Sequence, residues 1–198
     1  MEESIRAFVA VEIPGPLRAL CAEICRRLAP ATGRVGWVKP ENLHLTLKFL
    51  GNADPSRLER LAESLAHKGA KLHPFEVELK GLGCFPSPRR PRVIWVGTGE
   101  GAEALALLAQ KVEGAAAKAG FSREARAFSP HLTLGRVRMD SPPADLGSLL
   151  AREDPGSLGR FFVTEVILMK SRLDPGGSIY TPLRRIPLGR REVKGPPA

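Results

Sequence analysis

Apolar and polar positions alternate most sharply over residues 43–50, where Leu43, Leu45, Leu47 and Phe49 interleave with His44, Thr46 and Lys48. Alternation with period two puts successive side chains on opposite faces of a strand, so this segment predicts a half-buried β-strand. Ahead of it, the short β-branched run 7–13 predicts a buried strand, ended by Pro14 and Pro16. Leu17, Leu20, Cys21, Ile24 and Leu28 then recur at the spacing of an amphipathic helix. Residues 33–40 read as a connection containing Trp37. Asp54 before Pro55 predicts a capped helix start, continued by the stripe Leu58, Leu61, Ala62 and Leu65. Residues 75–79 alternate as another strand, 81–91 form a loop rich in Pro and Arg, and 92–97 predict a strand. An Ala/Leu-rich helix follows to about residue 119, and 161–168 read as one further apolar strand.

The strongest strand carries the tetrapeptide His44-Leu45-Thr46-Leu47, which returns 87 residues later as His131-Leu132-Thr133-Leu134. Shifting the chain by that distance lays residues 8–9 on 95–96, and the helix opening at Leu17 on one opening near Ala104. It also lays Asp54-Pro55 on Ser141-Pro142, and Phe75 on Phe162. Elements therefore match in order, at a period too long for a solenoid. The expectation is a single domain over 1–198 made of duplicated β-α-β-α-β halves, roughly 5–85 and 91–182, with a basic tail over 183–198. Two copies give two lobes related by an approximate two-fold axis, and the matched strands meet where clefts form.

Composition adds a class. At 198 residues, 43% apolar and 26% charged, the chain reads as a soluble globular protein able to bury a proper core. Its three cysteines, Cys21, Cys25 and Cys84, show no paired spacing, and Cys21 and Cys25, four apart on a helix face, predict buried, reduced thiols, which favours the cytoplasm. The N-terminus lacks a basic, apolar leader and no stretch approaches a membrane span, so no membrane association is expected. The net charge of +9 suggests a polyanionic partner, nucleic acid being the usual one; the tail alone holds +4 of it.

The repeated motif supplies the chemistry. On each strand a histidine and a threonine share one face, so two facing strands bring two imidazoles and two hydroxyls into one cleft. One neutral and one protonated histidine make a general base and a general acid near neutral pH, and threonine hydroxyls can donate to phosphate oxygens. That set suits in-line attack on a phosphodiester without a metal or other cofactor; a zinc site from the two histidines lacks evident third and fourth ligands. By strict alternation Lys48 lies on the His44 face, aimed at phosphate or at solvent beyond the strand end. Arg136 falls nominally on the leucine face, but Gly135 is placed to bulge the strand and turn Arg136 into the cleft, where the first copy has Phe49. The run 86–92 is a second candidate grip on a nucleic-acid backbone, whereas His67 and His73 read as surface residues. Gly97, Gly99 and Gly101 mimic a dinucleotide-binding fingerprint, yet residues 121–127 are too polar for the central parallel strand it needs.

These residues resemble the 2H phosphoesterase superfamily, named for paired His-x-Thr/Ser-x motifs, and more narrowly the RNA 2′,3′-cyclic phosphodiesterases once called 2′-5′ RNA ligases. The resemblance runs through Trp37-Val-Lys-Pro-Glu-Asn-Leu-His-Leu-Thr-Leu-Lys-Phe-Leu-Gly51, Gly83-Cys-Phe-Pro86 with Pro91-Arg-Val-Ile-Trp95, Ser129-Pro-His-Leu-Thr-Leu-Gly-Arg136, and Ser171-Arg-Leu-Asp-Pro-Gly-Gly-Ser-Ile-Tyr180. It implies an α+β fold of two pseudo-two-fold-related lobes, each an antiparallel sheet flanked by helices, and hydrolysis of RNA 2′,3′-cyclic phosphate ends to 2′-phosphates. It further implies His44 as proton donor, His131 as proton acceptor, Thr46 and Thr133 on the phosphate oxygens, and Arg136 as a basic substrate contact. A monomer suffices for such a cleft. Joining of RNA ends through a 2′-5′ bond at the same site, or RNA-end binding without catalysis, remain as alternatives at this stage.

Overall fold

The computed structural model describes residues 4–138, 145–175 and 177–189; Ser141-Pro142 and positions 190–198 of the expected tail lie outside them. In chain order the described elements are β1 (Ile5–Glu12), α1 (Gly15–Leu28), β2 (Val35–Trp37), β3 (His44–Ala53), α2 (Pro55–Gly69), β4 (Phe75–Phe85), β5 (Val93–Thr98), α3 (Ala102–Lys118), β6 (Leu132–Val137), α4 (Leu146–Glu153), β7 (Ser157–Val163), β8 (Glu165–Asp174) and β9 (Gly177–Pro187). Local chemistry accounts for the helix starts. The Asp54 carboxylate accepts the Ser56 N–H at 2.8 Å ahead of α2, and Pro14, in extended conformation, leads into α1. The stripe on α1 buries Leu17, Cys21, Ile24, Cys25 and Leu28; burial pushes the Cys21 thiol up to about 12 and that of Cys25 to about 11, so both stay protonated.

Among the described residues the strands form one sheet in the order β7-β4-β5-β6-β3-β1-β8-β9, with β2 paired to β6, and every pairing is antiparallel. The two motif strands are central neighbours, joined at the single pair Leu45–Leu132. Those leucines are equivalent in the repeat, so the pseudo-two-fold axis passes between them. Both are fully buried in the core that the helices cover. The sheet does not keep the repeats apart. The third strand of the first copy, β4, pairs with β5 and β7 of the second, while β8 of the second pairs with β1 of the first. Each lobe is therefore built from both halves.

Three expectations change. The apolar run 161–168 is two strands broken at Thr164, β7 beside β4 and β8 beside β1; the polar pair Thr164-Glu165 marks the switch, but two residues without Gly or Pro are too weak a signal to divide the run by period alone. The connection 33–40 contains β2, too short for a periodic signal. The basic tail begins later than Leu183, because residues through Pro187 complete β9, Arg184 and Arg185 pair with Glu59, Glu12 and Glu165, and Leu188 is buried. The glycine decoy also has a structural explanation. The strand after α3 is β6, antiparallel to β5, and a Cβ on Gly101 would lie 2.1 Å from the Glu76 carbonyl.

Candidate active site

Each motif histidine is oriented the same way. His44 Nδ1 lies 2.7 Å from the Asn42 carbonyl and His131 Nδ1 lies 2.7 Å from the Ser129 carbonyl, residues that are equivalent under the 87-residue shift. A carbonyl oxygen only accepts, so Nδ1 carries the hydrogen in both rings and Nε2 is the nitrogen that gains or loses a proton. In the first copy His44 Nε2 stands 3.0 Å from the Thr46 hydroxyl. Asn42 is itself fixed, donating its amide to the Ser178 carbonyl of β9 at 2.7 Å.

Aromatic rings hold the imidazoles. His44 packs between Phe8, 4.8 Å between ring centres, and Tyr180, edge-on at 5.2 Å; His131 meets Phe85 edge-on at 5.0 Å, and Phe85 leans on Trp95. Continuing the Leu45–Leu132 register one residue each way sets His44 against Thr133 and Thr46 against His131. The four motif side chains thus form a two-by-two array on one face of adjacent strands. Their ladder is limited to one pair.

A bulge in each motif strand decides what else reaches this face. On β6 the register runs Ile94–Gly135 and then Trp95–Thr133, which skips Leu134. On β3 it runs Val9–Lys48 and then Ala10–Thr46, which skips the equivalent Leu47. A one-residue insertion reverses the alternation beyond it. Hence Arg136 is exposed on the histidine side while Val137 joins the core, and the equivalent Phe49 is 64% exposed. The same reversal turns Lys48 inward. Only 6% exposed, it donates to Glu113 of α3 at 2.8 Å and to the Ser122 carbonyl at 2.9 Å. The expectation that Lys48 contacts phosphate is corrected: its charge is spent inside the protein, on the face opposite the histidines.

Sequence reasoning missed Glu12, Tyr180 and the stacking partners Phe8 and Phe85. Glu12 sits directly across from His44 in the β1–β3 register, a relation that strand alternation alone could have suggested once the pairing was known. Burial lowers the pKa of His44 below its ordinary value; the hydrogen bond to Asn42 opposes this, Arg136 adds to it and Glu12 opposes it. Among the described residues no three His, Cys, Asp or Glu side chains gather in a cluster able to hold a metal.

Known proteins share this arrangement. The family described as LigT like Phosphoesterase matches the chain twice, over residues 9–95 and 96–180, so that each match carries one motif. An RNA 2′,3′-cyclic phosphodiesterase of Methanothermobacter thermautotrophicus is 37% identical over 177 residues, 89% of this chain and 95% of that protein. One from Archaeoglobus fulgidus is 37% identical over 180 residues, 91% and 98% of the two chains. Among solved structures, Escherichia coli LigT complexed with 3′-AMP aligns with a TM-score of 0.78 at 30% identity, covering 94% of this chain and 99% of that one. By its two family matches, and by the histidine pair they frame, the chain belongs to the LigT-like phosphoesterases.

Proposed function

We propose that the protein hydrolyses RNA 2′,3′-cyclic phosphate ends to 2′-phosphate ends, with two histidines and no metal moving the protons. The observation that carries this reading is the pair of imidazoles whose Nδ1 atoms are tied to matched carbonyls, leaving both Nε2 atoms available on one face of adjacent strands. The curated relatives named above bear the same activity in their names.

In this mechanism His131 Nε2 takes a proton from water as the water oxygen bonds to phosphorus. The bond from phosphorus to the 3′-oxygen breaks, and His44 Nε2 gives its proton to that oxygen. The products are a 2′-phosphomonoester and a free 3′-hydroxyl, and solvent resets the two imidazoles. Thr46 and Thr133 donate to the non-bridging oxygens, and Arg136 offsets the developing charge. Exposed Phe49 gives a base next to the phosphate a ring to stack on. Both histidines come from one chain, so a monomer completes the site, and the buried thiols suit a reducing cytoplasm.

The test is incubation with an oligoribonucleotide ending in a 2′,3′-cyclic phosphate, with chelator present. Conversion to a 2′-phosphate is expected, with His44→Ala and His131→Ala each losing about 10²–10⁴-fold in kcat while still binding RNA. A 3′-phosphate product, loss of activity on chelation, or near-normal turnover by either variant would overturn the mechanism.

A further inference from the structure

The repeat supplies two equivalent histidines and leaves open what makes one the acid. We propose that Glu12, clamped with Glu165 by the Arg185 guanidinium, is the positioning residue that holds the proton on His44 and so commits that histidine to the acid role. This rests on the cyclic phosphodiesterase reading given above and deepens it.

The cluster lies on the histidine side of the sheet. Glu12 and His44 are opposite one another on β1 and β3, and side chains so placed share a face with their Cβ atoms about 5 Å apart. On the same face Ala10 opposes Ile167, and Ile167 opposes Arg185. Two residues further along β1 and β8, that register sets Glu12 beside Glu165. Arg185 donates to Glu12 Oε2 at 3.1 and 3.2 Å through its two terminal nitrogens, and it also pairs with Glu165. Two carboxylates thus share one guanidinium, and one negative charge is left over beside His44.

Among the described residues the second lobe has nothing comparable at the matching register position. Ala10 opposes Thr46 on one side of the axis, and Trp95 opposes Thr133 on the other, so continuing each register by two residues sets Gly97 across from His131 as Glu12 is across from His44; the 87-residue shift lays Glu12 on Gly99, also a glycine. A Cβ on Gly97 would lie 2.9 Å from the Lys80 carbonyl and 3.1 Å from the Trp95 ring, so that position excludes a carboxylate altogether. The two-fold symmetry of the motifs is broken by charge at this pair, as it is at Arg136 and its counterpart Phe49. Among the described residues, the titratable and charged groups that register and contact place on the His44 side are Glu12 from β1, Glu165 from β8, Arg185 and Tyr180 from β9, His131 just ahead of β6 and Arg136 within it. Arg136 repels a protonated His44 and Glu12 counters it, in the directions already noted.

The sign of the effect identifies the role. Where the acid has the higher pKa, a group whose protonated form is needed sets the alkaline limb of the pH profile and a group needed deprotonated sets the acid limb. With the order reversed the limbs exchange, so titration of the His44 ring fixes which limb is its own. Removing the Glu12 charge makes His44 lose its proton at lower pH. In Glu12→Gln, which keeps the shape, the alkaline limb of kcat/KM on the cyclic-phosphate RNA should therefore move to lower pH, with the acid limb in place. Glu12→Asp should restore it towards the wild type, and Arg185→Gln, which removes the clamping cation, should move it up. Where His44 has the higher pKa, a shift of the acid limb instead would overturn the acid assignment, and unmoved limbs in both Glu12→Gln and Arg185→Gln would overturn the coupling. Titration of the His44 ring by NMR in the free wild-type and Glu12→Gln proteins separates the two levels of the argument. A lower His44 pKa in the variant supports the coupling even if the RNA is not hydrolysed, and an unchanged one refutes it whatever the activity.

Discussion

Lys48 places its ammonium 2.8 Å from the Glu113 carboxylate, which in turn accepts the Glu124 N–H at 3.2 Å. This ties β3 to α3 and to the segment leading into the second motif. The lysine side chain is 4% exposed and that of Glu113 22%, so cutting the lysine back strands a largely desolvated carboxylate. Lys48→Ala should cost about 3 kcal/mol of stability, at the low end for a buried pair because water reaches Glu113. Lys48→Met, which keeps the volume and drops the charge, should unfold earlier in urea than the wild type while its KM for cyclic-phosphate RNA stays within about twofold. A KM rise of tenfold or more without loss of stability would return Lys48 to the substrate side. Strict alternation had put this residue beside His44. What it lacked was the bulge at Leu47, a position with no glycine to announce it.

The bulge is the element-scale device of this fold, and the second copy displays it openly. Gly135 has no room for a side chain, since a Cβ would lie 2.6 Å from the Val35 side chain and 2.8 Å from the Trp37 ring. Those two residues belong to β2, whose pairing with β6 runs through Trp37–Gly135 and Gly36–Arg136. Gly135→Ala should push β2 away, costing roughly 1–3 kcal/mol, and loosen the turn that aims Arg136. In kinetics this should appear as a raised KM with a smaller fall in kcat, checked by steady-state assays beside urea unfolding. Wild-type stability in that variant would mean that β2 does not seat Arg136. Glycine at 135 made this turn readable from sequence in the second copy; the 87-residue equivalence of Gly135 with Lys48 and of Arg136 with Phe49 held the same information for the first copy, which strict alternation alone passes over. The amphipathic helices and β3 were legible because their periods are long enough to count. The Thr164 break was easy to pass over because only Thr164 and Glu165 interrupt the apolar run, with no Gly or Pro beside them. Glu12 was hidden for a different reason: its neighbour is 32 residues away, and only the register brings them together.

At the scale of the whole molecule, the duplicated sequence and the folded lobes divide the chain differently. Periodicity revealed the copies, but strand pairing is non-local and it exchanges β4 and β8 between them. The first copy alone would hold β1 and β3 without β8 alongside β1, and would leave β4 with neither β5 nor β7. The helices follow the same plan: α1 contacts α4 and α2 contacts α3, each across the copies. Neither half can close a core, because the faces it needs lie in the other. Cutting the chain between Pro88 and Arg89, in the loop joining β4 to β5, should therefore yield two fragments that show no cooperative unfolding by near-UV circular dichroism when separate. Mixed at equal concentration, they should recover both the dichroism signal and cyclic phosphodiesterase activity, since the cut touches no strand pairing. A fragment that unfolds cooperatively on its own would show the copies to be independent domains. A mixture that folds without activity would place a requirement for chain continuity in the cleft, where His44 from one fragment must meet His131 from the other.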